Sequence, residues 1–280
     1  MTAPASASPR AVPPPRTVLL TGAAGRIGTL LRERLPGYGY TLRLFDVEPV
    51  AGEPAAVTAD LDDQAALRRA VRGVDAVVHL AGIPSEAPFA RILRANIEGT
   101  TRLYETVREE GVRRVVCASS NHAVGFTPLP GPGDPRIPVR TPHRPDTFYG
   151  LSKAYGEDLA QLYWDRHGVE TVSLRIGSCA AEPADVRQLG IWLSPDDCAR
   201  LVHAALSAEG VAHTAVYGSS ANTRLVWDLS DARALGYAPE DDSETYAPAL
   251  LAAQGAPETE GATARLLGGR FCTVDPPGLH

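Results

Sequence analysis

Near its start the chain runs Thr17-Val18-Leu19-Leu20 and then sets glycines at positions 22, 25 and 28. A short apolar run without polar alternation reads as a strand buried on both faces, which is the pattern of a parallel sheet. The G-x-x-G-x-x-G turn that follows permits a tight reversal and lets phosphates approach the backbone. The helix it opens attracts a pyrophosphate to its N-terminus. Glycine turns are common, so the placement between strand and helix carries the reading of a dinucleotide site.

The same alternation continues. Residues 27–35 have helical spacing, stopped by Pro36-Gly37, and residues 41–45 read as a second strand. Residues 62–71 read as a helix with Asp62 or Asp63 as N-cap, and residues 74–80 as a third strand. Between Pro88 and Glu110 most apolar residues recur at i, i+3 and i+4, which predicts one long helix closed by Gly111. Residues 112–118 make a fourth strand, 149–167 a helix ended by Gly168, and 169–175 a fifth strand. Strand alternating with helix implies an α/β, doubly wound parallel sheet of Rossmann type, covered on both faces. Residues 126–145, dense in Pro and Gly, read as a loop. After Ile176 the pattern loosens to a helix near 195–206, a strand near 215–217 and short pieces. Ligands bind beyond the carboxyl ends of such strands, so the substrate pocket is expected between the 126–145 loop and the region after Ile176. The expected organisation is a disordered leader (1–16), a dinucleotide-binding domain (17–177) and a smaller substrate-binding region with its tail (178–280).

Asp46 ends the second strand, 18 positions beyond Gly28. A carboxylate there accepts hydrogen bonds from ribose hydroxyls and repels a 2′-phosphate, which favours NAD over NADP. Arg26 and Arg43 pull mildly the other way, since each is able to pair with that phosphate. Asp60-Leu61 reads either as a flank to the adenine or as an ordinary loop.

Tyr149 and Lys153 stand at i, i+4, which puts phenol and ammonium on one helix face. The lysine charge favours tyrosinate. A phenol so tuned takes a hydroxyl proton while hydride leaves the same carbon. That spacing alone more often means a packed Tyr beside a solvated Lys. Ser119 and Ser120 change the balance, because they follow the fourth strand and at least one should face the same pocket.

Taken in order, the glycine turn, Asp60-Leu61, Leu80-Ala81-Gly82, Asn96-x-x-Gly99-Thr100, the two serines and YxxxK resemble the extended short-chain dehydrogenase/reductases, the NAD-dependent epimerase/dehydratase family. That resemblance implies Tyr149 as acid/base, Lys153 on the ribose, and Ser120 on the substrate oxygen. It implies a cofactor site of Gly22, Gly25, Arg26, Ile27, Gly28, Asp46, Asp60, Leu61, Leu80 and Ala81 together with Tyr149 and Lys153. More specific words, Ser119-Ser120-Asn121-His122, Arg175-Ile176-Gly177-Ser178-Cys179 and Trp192-Leu193-Ser194-x-Asp196-Asp197, look like the uronate dehydrogenases. The implied reaction is NAD-dependent oxidation of C1 of D-glucuronate or D-galacturonate to the aldaric acid lactone. The implied substrate contacts are Ser120, Asn121, His122, Ser178 and, on the carboxylate, Arg187. Where those relatives carry serine this chain has Pro84, which cannot donate, so Ser85 is the expected substitute. Alternatives are a nucleotide-sugar epimerase or dehydratase, and a non-catalytic NAD-binding sensor.

Net charge is −6, which argues against a nucleic-acid surface, and no apolar run reaches a membrane span. Four cysteines stand far apart without a CxxC pair, so neither a metal site nor a disulfide framework is indicated. A cytoplasmic enzyme, a homo-oligomer by family analogy, is the expectation.

Overall fold

A computed structural model describes residues 16–131, 133–255 and 260–278. The leader reading falls almost wholly on residues 1–15, outside the described residues.

Seven parallel strands form one sheet in the order β3-β2-β1-β4-β5-β6-β9. They are β1 (Thr17–Thr21), β2 (Thr41–Asp46), β3 (Val57–Thr58), β4 (Ala76–His79), β5 (Arg114–Ser120), β6 (Glu170–Ile176) and β9 (His213–Gly218). The two-residue strands β7 (Ser178–Cys179) and β8 (Trp192–Leu193) pair separately. The order reverses at β1, whose neighbours are β2 on one side and β4 on the other. This opens a crevice beyond the strands' carboxyl ends.

Alternate residues explain the two layers. Val18, Leu20 and Val78 point into a core with α1 (Arg26–Arg34) and α6 (Pro195–Ser207). Leu19 and Val77 point into a second core with α2 (Gln64–Val71), α4 (Gly99–Glu109) and α5 (Phe148–His167). Leu19 and Leu20 are both fully buried, each contributing about 1.5–3 kcal/mol. The last strand, β9, comes from beyond residue 177 yet extends the main sheet through β6.

The long helix expected over 88–110 is continuous but not uniform. A short α3 (Phe89–Ile92) passes through a π-helical turn, Leu93–Glu98, into α4. The turn carries Asn96, whose Oδ1 accepts the Ile83 N–H at 2.7 Å. Its Nδ2 donates to the Ile83 carbonyl and to Ser152 Oγ, both at 3.0 Å. The loop after β4 is thereby pinned to α5. As expected, residues 126–145 hold no helix or named strand among those described.

Helix α5 starts where its free N–H groups find acceptors. Thr147 Oγ1 takes the Gly150 N–H at 3.0 Å. The Glu86 carboxylate takes those of Phe148 and Tyr149 at 3.3 and 2.8 Å. The helix ends at Gly168, whose φ of +67° suits glycine.

Candidate active site

A cleft of about 810 Å³ lies over the carboxyl ends of β1, β2, β4, β5 and β6, within the usual range of roughly 300–1,000 Å³ for ligand sites. Its floor at one end is the glycine turn. Gly22 has φ +74°, and a Cβ there would sit 2.7 Å from the Ala81 nitrogen; on Gly28 it would sit 2.2 Å from the Gly22 carbonyl. Both positions require glycine, and the bare turn leaves the backbone open to phosphate.

Gly22, Gly25, Arg26, Ile27, Gly28, Asp46, Asp60, Leu61, Leu80, Ala81, Tyr149 and Lys153, expected at the cofactor, all line this cleft, and so do Ser120 and His122. Asp46, 8% exposed, is oriented by the N–H groups of Ala24 and Glu48 at 2.8 and 2.9 Å. Arg43 does not reach the cleft lining. Its guanidinium donates to the carbonyls of Ala70 and Arg72 at 2.8 and 2.7 Å, at the end of α2. Of the two arginines weighed for NADP, only Arg26 lines the site.

At the other end, β5 and α5 bring the polar groups together. Lys153 Nζ donates to the Ala118 carbonyl at 2.8 Å and stands 5.6 Å from the Tyr149 ring centroid. The two serines, both in the cleft lining, differ in their partners. Ser119 Oγ donates to Glu157 Oε1 at 2.5 Å, whereas Ser120 Oγ accepts the backbone N–H of His122 at 3.2 Å and has no acceptor for its own proton among the described residues. Behind Lys153, His79 lies 2.8 Å from Thr21 Oγ1 and 3.1 Å from Thr100 Oγ1. Burial, and next the Lys153 charge, lower its pKa to about 3, so it stays a neutral bridge.

The remaining expected substrate contacts lie off this cleft's lining. Asn121 Nδ2 and Arg187 Nη2 both donate to the Leu267 carbonyl, the former at 3.5 Å. Ser178 Oγ donates to Gln188 Oε1 at 2.8 Å. Arg187 is partly buried and, among the described residues, takes part in no salt bridge; desolvation, which lowers its pKa, outweighs Asp185 and Asp146 nearby. Ser85 is exposed, and Pro84 rather than Ser85 lines the cleft.

Sequence reasoning missed the group beneath the site. Glu157, on the face of α5 that carries Tyr149 and Lys153, is 3% exposed, as is Arg175 of β6. Arg175 Nη2 donates to Glu157 Oε2 at 2.8 Å and its Nη1 to the Val139 carbonyl at 2.8 Å. His143, from the same Pro-rich loop as Val139, lies 2.9 Å from Glu157 Oε2. Burial alone would raise the Glu157 pKa. Hydrogen bonds from His143 and Arg175, the Arg175 charge and Ser119 outweigh it and hold the carboxyl at about 2. The hydrogen bond to Glu157, ahead of opposing burial, raises His143 above its ordinary 6.5. A raised histidine stabilises the fold fully below about pH 6.5, and that contribution is lost as pH rises through the folded value. The Tm difference between wild type and His143→Ala should therefore be largest below pH 6.5 and shrink above the raised value. Thermal melts across pH 5–9 (about the range where His titrates) check this; a difference independent of pH would exclude it.

Comparison with known proteins agrees with the geometry. The chain belongs to the NAD dependent epimerase/dehydratase family, whose model matches residues 18–189. Within reach of that family it is similar to the uronate dehydrogenase of Pseudomonas putida, 47% identical over 265 residues that cover 92% of this chain and 96% of the relative. Its structure is similar to that of glucuronic acid dehydrogenase from Chromohalobacter salexigens, with TM-score 0.88 and 39% identity over 94% of this chain and 98% of the other. It is equally similar to a mutant of uronate dehydrogenase from Agrobacterium tumefaciens complexed with NAD, with TM-score 0.87 and 39% identity over 94% and 99%.

Proposed function

We propose that this chain is an NAD-dependent uronate dehydrogenase that oxidises the C1 hydroxyl of D-glucuronate or D-galacturonate to the aldaric acid lactone. The observation that carries the reading is the convergence of Ser120, Tyr149 and Lys153 on one wall of the cleft that the glycine turn floors. The residues fit NAD: Gly22 and Gly28 clear the pyrophosphate, and Asp46 offers a carboxylate to the adenosine ribose. When bound, NAD accepts the hydride from C1. Ser120 holds the C1 oxygen, and Tyr149 takes its proton. Lys153, anchored on the Ala118 carbonyl, orients the nicotinamide ribose beside Tyr149. A pyranose already carries both a hydroxyl and a hydrogen on C1, so no water need add before oxidation.

Arg187 supports the acid specificity. A partly buried guanidinium whose Nη2 meets the Leu267 carbonyl and which forms no salt bridge among the described residues suits the substrate C6 carboxylate, since a guanidinium is able to donate two parallel hydrogen bonds. Leu151 and Leu162, 44% and 49% exposed on α5, fit a homo-oligomer. No helix among the described residues is long and apolar enough to cross a membrane. The four free thiols suit a reducing cytoplasm.

The test is NADH formation from NAD and free D-glucuronate or D-galacturonate, with glucose as control. An epimerase or dehydratase of the same fold recycles its NAD, so net NADH separates the readings, and its absence with both acids overturns this one. Arg187→Ala is expected to raise the uronate KM about 10–100-fold, the worth of a charged hydrogen-bond pair, with NAD affinity within about twofold. Equal loss of both would place Arg187 in the fold instead.

A further inference from the structure

Three residues before Tyr149, Asp146 has a side chain wholly removed from solvent, and nothing in the mechanism above uses it. Its Oδ1 accepts the Thr147 hydroxyl at 3.0 Å, and its Oδ2 lies 2.6 Å from His122 Nδ1. Glycines clear the space it fills. A Cβ on Gly125 or on Gly268 would lie 2.0 Å from Oδ2, and one on Gly150 would lie 2.9 Å from Oδ1. Three separate segments, one of them beyond residue 260, thus give up side chains around a single carboxylate. Such a carboxylate only accepts, so the proton of the His122 contact belongs to Nδ1.

The His122 ring is held on its faces as well. Phe271 lies against it with centroids 4.1 Å apart and planes inclined by 34°, and Tyr149 meets it edge-on at 5.8 Å. With Nδ1 committed inward, Nε2 is the ring atom left for the cleft, which His122 lines.

We infer that Asp146 is a positioning residue for substrate: it fixes the His122 ring through Nδ1, so that Nε2 faces the sugar beside Tyr149. This rests on the uronate reading for the identity of the sugar. A hydroxyl of the pyranose, which both donates and accepts, is the partner that Nε2 reaches. The dyad therefore acts on sugar binding and not on the cofactor, which lies along the glycine turn.

The full chain carries the test. Asp146→Asn is nearly isosteric but lets an amide face Nδ1. The variant should raise the uronate KM about tenfold, the worth of one hydrogen bond to a well-placed partner, with the NAD Kd within twofold. In a His122→Ala background the same substitution should add less than twofold, because the effect runs through the ring. Multiplicative effects, or NAD affinity falling alongside, would assign Asp146 to the fold and overturn the inference. Should the variant not fold, the nitrogen-15 resonances of the wild-type His122 ring decide. A ring protonated on Nδ1 supports the inference, and one protonated on Nε2 alone overturns it. The ring measurement stands apart from the NADH assay, so failure of the uronate reading and failure of the Asp146 hold are read separately.

Discussion

Replacing Tyr149 by Phe is expected to lower kcat for uronate oxidation about a thousandfold, with NAD affinity within twofold. The ring is 8% exposed and packs with Ala87 and Ile92, and Phe retains every one of those apolar contacts. Only the oxygen is lost, and with it the group proposed as base for the proton of the C1 hydroxyl. General acid–base catalysis is worth about 10²–10⁴-fold, and the substitution removes the group outright. Lys153 still holds the Ala118 carbonyl and the glycine turn is untouched, so cofactor binding should survive. Steady-state rates together with NAD titration check both halves. Unchanged turnover would mean that another group takes the proton of the C1 hydroxyl.

The second large effect is on stability. Arg175→Leu should destabilise the fold by about 3–5 kcal/mol, because it leaves the Glu157 carboxylate buried with its strongest partner gone. The loss also frees the Val139 carbonyl, to which Arg175 donates, and so loosens the Pro-rich loop. Urea denaturation gives the value. Removing both charges together, as Arg175→Met with Glu157→Leu, should recover most of it, since an apolar pair of similar volume avoids the desolvation cost. A single substitution costing under about 1 kcal/mol, as exposed pairs do, would mean that the pair is solvated.

What was legible in the chain was local. The glycine turn, the i, i+4 spacing of Tyr149 and Lys153, and the strand-end Ser120 each declare themselves within a few residues, and the strand–helix rhythm ordered them. The pairings beneath and beside the site were not legible, even for His122, because the partners are remote. Glu157 and Arg175 meet across 18 positions, His122 and Asp146 across 24, and Glu86 reaches the start of α5 across 63. Read singly, each is an ordinary polar residue; only the sheet register and the docking of α5 bring them together. Arg43 shows the converse. Its position in β2 left a phosphate role open, and the packing of α2 against the sheet gave its guanidinium three other carbonyls. The two-residue strands after Ile176 are too short for any periodicity to register.

The π-helical turn at Leu93–Glu98 has a consequence for how the chain can change length there. A π turn closes on i→i+5 bonds and so takes up one residue more than an α turn. Deleting one residue here is therefore expected to leave a regular α-helix, with Ile92, fully buried, still on its packing. Asn96 is the residue of the turn whose loss would be felt, because the N–H and carbonyl of Ile83 would both lose their partner.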